Sequence, residues 1–128
     1  MERIINERLL KEIQQICKKY TGIEKVLLYG SRARGDNTEK SDYDLAVYGN
    51  LSSVDRARIL SDFAEDLPTL HKIDTVFIQY VADQKFIENI QNEGIIVYKK
   101  LENKYDNFNK AIKRLNEANV SYKKNSDD

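Results

Sequence analysis

Two apolar runs, joined by a Gly-Ser turn and a polar loop, restrict what this chain can fold into more than any other feature. The first run, Glu24 to Tyr29, closes on Gly30-Ser31; ten residues later Asp42-Tyr43-Asp44 opens the second, which continues through Leu45-Ala46-Val47-Tyr48. Apolar runs of this length bounded by turn residues read as buried strands. Residues two apart on a strand point to the same side, so Asp42 and Asp44 present their oxygens together. Paired carboxylates suit Mg²⁺, a hard cation with oxygen ligands. The Gly30-Ser31 turn offers backbone N–H groups and a hydroxyl to phosphate oxygens. A Gly-Ser turn alone is more often structural; beside an acid pair at a strand end it points to phosphoryl or nucleotidyl transfer.

The same loop excludes one class. Gly30-Ser31-Arg32-Ala33-Arg34-Gly35 has the Gly, four residues, Gly spacing of a Walker A loop, but Asp36-Asn37 stand where Lys and Ser or Thr are required. A P-loop NTPase is therefore rejected.

Holding two metal ions calls for a third carboxylate, and Asp74, just inside the apolar run Ile73-Asp74-Thr75-Val76-Phe77-Ile78, is the candidate. A charge in such a run needs a partner: a metal, or a Lys or Arg. Two ions about 3.5–4 Å apart can clamp the attacking and the leaving oxygens. On this reading Asp42 and Asp44 hold the nucleotide-associated ion, Asp44 and Asp74 hold the second, and Asp74 can take the proton of the attacking hydroxyl. Arg32 and Arg34 flank the turn and suit phosphate oxygens, against the plainer reading of two solvated arginines. Ser31 reads as a phosphate ligand, since no base partner makes it a nucleophile. His71 reads as a loop or strand-edge residue; Tyr29 and Tyr43 read as packing, with Tyr43 facing away from the acids.

The elements follow from periodicity and caps. Glu2 to Tyr20 predicts a helix and Glu24 to Tyr29 a strand. Ser31 to Gly35 predicts a turn or short helix start, and Tyr43 to Tyr48 the second strand. Ser52-Ser53 caps a helix running through Leu67. Ile73 to Tyr80 predicts a third strand, Ala82 to Asn92 a helix and Ile95 to Tyr98 a last short strand. This order predicts an α/β (α+β) domain, a small mixed sheet with helices on one side. Leu101, Tyr105, Phe108, Ile112 and Leu115 recur as a narrow apolar seam on a charged helix. The expected division is residues 1–99 as the catalytic domain, 100–120 as a docking helix and 121–128 as a disordered tail.

At 128 residues the chain fits one domain. Lys plus Arg number 21 and Asp plus Glu number 21. That balance gives no basic block for nucleic acid, so direct nucleic-acid binding is not expected. Cys17, the single cysteine, can form no internal disulfide and reads as a small core residue. No apolar run approaches a membrane span, and the N-terminus lacks a signal-peptide core, so a cytoplasmic protein without membrane association is expected.

Gly30-Ser31, ten residues, Asp42-x-Asp44 and a later strand Asp74 together resemble the DNA polymerase beta-like nucleotidyltransferase superfamily. Within it, Glu2 to Tyr98 is similar to the minimal nucleotidyltransferases, or MNT. The resemblance implies a small mixed sheet flanked by helices, Mg²⁺, and ATP or another nucleoside triphosphate. It also implies transfer of a nucleoside monophosphate to a hydroxyl with release of pyrophosphate. Many such proteins accompany a small helical HEPN protein; in toxin–antitoxin pairs the HEPN partner is an RNase toxin, and the MNT antitoxin can adenylylate it, commonly on tyrosine. Lys104 to Ala118 is similar to the opening helix of the HEPN-related nucleotidyltransferase substrate-binding proteins. The long acceptor-recognition regions of polymerases and aminoglycoside nucleotidyltransferases are absent, so a partner is expected to bind the acceptor or to be it. Three functions stay open: adenylylation of a HEPN-type partner, inhibition of that partner by docking alone, and a stand-alone enzyme for a small-molecule hydroxyl. Homo- and hetero-oligomers are both compatible with the sequence.

Overall fold

The computed structural model describes residues 5–101 and 111–116. Helix α1 spans Glu7–Lys18 and starts five residues later than its periodicity suggests. Asn6 caps it, its side-chain oxygen accepting the Leu9 N–H at 3.0 Å, with Glu7 in the first turn and Lys18 in the last. Strand β1 is Ile23–Tyr29. A short helix α2, Gly30–Arg34, follows at once and ends on Gly35, whose φ of 86° forms a left-handed cap. Strand β2 is Tyr43–Gly49. Helix α3, Ser53–Glu65, is capped by Ser52 through the Asp55 N–H. Strand β3 is Ile73–Phe77. Residues 78–80 turn into a 3-10 segment instead of extending the strand as the alternation predicts. Helix α4, Gln84–Glu93, is capped by Asp83, and β4 is Ile95–Lys99.

The four strands lie in the order β3-β2-β1-β4. Strand β1 pairs antiparallel with β2 and β4, while β2 pairs parallel with β3, so the sheet is mixed as expected. The helices do not all lie on one side. Leu9, Ile13 and Cys17 of α1 and Ile59 and Phe63 of α3 pack with Val26, Leu28, Leu45 and Val47. Leu27, Tyr29 and Ala46, which alternate with those strand residues, pack instead with Ile90 and Phe86 of α4. The reason lies in the strands: Val26-Leu27-Leu28-Tyr29 and Leu45-Ala46-Val47 are continuously apolar, and such runs must be covered on both faces.

Cys17 is buried in the first core, and burial pushes its thiol up to about 12, which removes it as a nucleophile. Among the described residues no helix is long and apolar enough to cross a membrane. Residues 111–116 are helical and exposed. The remainder of the seam between 102 and 110, and the 121–128 tail, lie outside the described residues. Truncating the fully buried Ile13 to Ala is expected to cost about 2–5 kcal/mol, read as a fall in the urea midpoint with an unchanged slope.

Candidate active site

Chain direction alone brings the Gly-Ser turn to the acids. Strand β1 ends at Tyr29, opposite Asp44 on β2, and Asp44 in turn lies opposite Asp74 on β3. Residues directly opposite one another in a sheet share a face. Tyr29, Asp44 and Asp74 therefore form one row across three strands, on the α4 side. Asp42 stands just before β2, two residues from Asp44. Tyr43, between them, points into the opposite core.

Gly30 is required at its place for two reasons. Its φ is 75°, and a Cβ there would overlap the Oδ2 of Asp44. The Asp44 carboxylate thus lies against the bare Cα of the turn. Ser31 is half-buried in the first turn of α2.

The two arginines diverge. Arg34 reaches across the turn: its Nε donates to Asp36 Oδ2 at 3.1 Å and its Nη1 to both Glu93 oxygens at 3.3 and 3.2 Å. Arg32, expected at the phosphates, is buried with its guanidinium committed to the loop. Its Nε donates to the Ser41 carbonyl at 3.0 Å, and its Cζ lies 4.1 Å from the Tyr43 ring centroid. In this position it shapes the loop that delivers Asp42 and is not presented to the turn. Two residues absent from the sequence reading also belong here. Glu93 accepts the Gly30 N–H at 3.1 Å, and Lys72 Nζ sits 3.2 Å from Asp74 Oδ1. Glu93 is 63 residues from Gly30, and no local signal could have linked them; Lys72, two residues before Asp74, was findable as a charge neighbour.

The row of acids is electrostatically strained. Burial, then the charges of Asp74 and Asp42, raise the Asp44 carboxyl above its ordinary value of 3.8, with Arg34 opposing. The Tyr29 phenol is pushed up to about 12, first by burial and then by Asp44, Asp74 and Glu93, so it stays neutral. Tyr29 is held by an edge-on contact with Phe86, the ring centroids 5.8 Å apart. Lys72 is the local counterweight, its ammonium favoured by Asp74, Asp42 and Asp44. Among the described residues no three His, Cys, Asp or Glu side chains form a ready-made metal cage. The donor chemistry of Asp42, Asp44 and Asp74 nevertheless fits a hard divalent cation, which would relieve the repulsion that raises Asp44.

This predicts a pH dependence. The native protein holds the Asp44 proton more tightly than the unfolded chain does. The stabilising contribution of protonated Asp44 is complete below pH 3.8 and is lost as pH rises through its higher folded value. Cation binding needs the ionised form, so the affinity for a divalent cation such as Mg²⁺ is expected to fall on acidification earlier than it would for a carboxylate of ordinary pKa. Titration calorimetry at stepped pH checks this.

Residues 11–103 match the family described as polymerase beta, nucleotidyltransferase. The chain belongs to the polymerase beta nucleotidyltransferase family. This nucleotidyltransferase is also 33% identical to "Putative protein adenylyltransferase MJ0604" of Methanocaldococcus jannaschii, over 72% of this chain and 97% of that protein. Its fold is similar to a chain in a crystal structure of a toxin–antitoxin with AMP-PNP, with TM-score 0.58 and 18% identity, covering 93% of this chain and 96% of that one. It is likewise similar to a chain of a Shewanella oneidensis complex described as a tri-AMPylated HEPN toxin with MNT antitoxin. There the TM-score is 0.53 and the identity 16%, with 91% of this chain and 88% of that one covered.

Proposed function

We propose that this nucleotidyltransferase moves AMP from ATP to a hydroxyl of a HEPN-type helical partner in the cytoplasm, and serves as the antitoxin of that pair. The observation that carries the reading is the register pair Asp44–Asp74, on one face of the sheet, with Asp44 against Gly30. A relative named as a protein adenylyltransferase and a structural neighbour described as an AMPylated HEPN toxin with MNT antitoxin support the acceptor class.

Asp42, Asp44 and Asp74 would hold Mg²⁺, which when bound supplies charge neutralisation of the triphosphate and acidifies the acceptor hydroxyl. The protein's own groups do the rest. The Gly30–Ser31 turn and Arg34 orient phosphate oxygens. Asp74 takes the acceptor proton as general base. Lys72, now balancing Asp74, offsets negative charge that gathers there. Residues 1–99 supply this machinery, and 100–120 supply contact with the partner.

The test is incubation with labelled ATP, Mg²⁺ and the HEPN-type product of the adjoining gene. Label is expected on the partner; no transfer by wild type, or equal transfer by Asp42→Asn, refutes the proposal. Leu101 and Leu115, 88% and 63% exposed, favour a second reading, inhibition by docking alone. That reading wins if Asp42→Asn and Asp44→Asn still neutralise the partner while truncation before Leu101 does not.

A further inference from the structure

Helix α2 begins without a cap of its own. Its N-cap residue is Tyr29, which makes no side-chain hydrogen bond to the helix start. The first N–H groups of a helix must find acceptors outside it. For Gly30 the acceptor is Glu93 Oε1, at 3.1 Å. The same carboxylate receives Arg34 Nη1, at 3.3 and 3.2 Å to its two oxygens. One side chain therefore ties both the start and the end of α2 to α4.

Glu93 is well seated for that work. It is the last residue of α4, one turn beyond the fully buried Ile90. Gly94 follows, and a Cβ there would lie 2.5 Å from the Ile90 carbonyl oxygen and 2.8 Å from Leu27 Cδ1. Only a bare Cα lets the end of α4 come this close to β1. On its other flank Gly30 meets Asp44 Oδ2, where its own Cβ would be. The Gly30 backbone is thus held between two carboxylates, one on the N–H and one on the Cα.

We infer that Glu93 is a positioning residue for nucleotide transfer: it caps α2 from a distance and so sets the Gly30–Ser31 turn and Arg34 in the orientation that receives the triphosphate. The inference rests on the transferase reading above. Glu93 acts through Gly30 and Arg34 and does not touch the reacting atoms. Glutamine keeps a side-chain oxygen for the Gly30 N–H. Aspartate keeps the charge but withdraws the oxygens by roughly one C–C bond, ~1.5 Å. Alanine removes both.

The test uses the full chain and two readouts, amide hydrogen exchange at Gly30 without ligand and calorimetric binding of AMP-PNP with Mg²⁺. Glu93→Ala and Glu93→Asp are expected to speed Gly30 exchange at least tenfold. They are also expected to weaken probe binding about tenfold to a hundredfold, the range for a lost charge-assisted hydrogen bond. Glu93→Gln keeps an acceptor for the Gly30 N–H but loses the charge that holds Arg34, so it is expected to keep Gly30 exchange within about threefold of wild type and to weaken probe binding less than Glu93→Ala does. Glu93→Asp, the milder change, decides the matter if the alanine variant does not fold. Unchanged Gly30 exchange in Glu93→Asp overturns the inference. So does equal or tighter probe binding, which would make the carboxylate a competitor of the triphosphate. A wild-type protein that binds no probe overturns the transferase reading instead, and the Gly30 exchange then decides the contact by itself.

Discussion

Asp44→Asn is expected to give a protein that melts higher than wild type at neutral pH without ligand and yet transfers no label. The two effects share one cause. Asp44 is ionised against burial and against the charges of Asp74 and Asp42, so its charge works against folding at neutral pH. The amide keeps the shape and removes the charge. It also removes the central oxygen donor of the row, the one shared between both expected metal positions. Loss of such a charge-stabilising group lowers turnover by at least about a hundredfold. Mg²⁺ should raise the melting temperature of wild type and leave Asp44→Asn unmoved. A variant that melts lower than wild type, or one that keeps its turnover, would contradict the account. Stability traded for function at an active site is the general pattern to which this would belong.

Gly30→Ala is expected to be the most damaging single-methyl addition in the site. It meets two penalties at once. A non-glycine residue at φ 75° costs about 1–2 kcal/mol. The new Cβ overlaps Asp44 Oδ2, and with Cγ at 3.1 Å and Cβ at 3.4 Å the whole Asp44 side chain is in the way. Either Asp44 rotates out of the row or the turn shifts, and both separate the phosphate ligands from the acids. Turnover should fall about a hundredfold, since a misplacement of ~1 Å has that effect on a positioned reaction. Gly35→Ala is the control. Its φ is 86°, but nothing lies within 4 Å of the added Cβ. It carries the backbone penalty alone, visible as a lower melting temperature with transfer retained. Equal turnover in the two alanine variants would show that Asp44 contact is irrelevant at Gly30.

Much of the fold was legible because its signals are local. Caps at Ser52 and the Gly94 stop are read within a few residues, and strand alternation needs only neighbours. The errors are also physical. Asn6 moved the start of α1 because a cap outweighs an apolar residue, Ile5, that can pack from outside the helix. Residues 78–80 left the strand despite keeping its alternation. The helices occupy both faces because the strands are apolar on both, a point the composition of β1 already carried. At the turn, Arg34 pairs with Asp36 and Glu93, whereas Arg32 donates to the Ser41 and Glu39 carbonyls, partners that only the folded loop brings within reach.

From its residues alone the chain determined that Asp42 and Asp44 stand two apart at the start of a strand and that a glycine precedes Ser31 at a strand end, because spacing along the chain is a property of the backbone. Tertiary structure decided which residues oppose one another: Asp74 beside Asp44, Lys72 at Asp74, and Glu93 on the Gly30 amide. Those neighbours come from strand register and from the packing of α4 on the sheet, and contacts between distant segments leave no periodicity in the sequence to read.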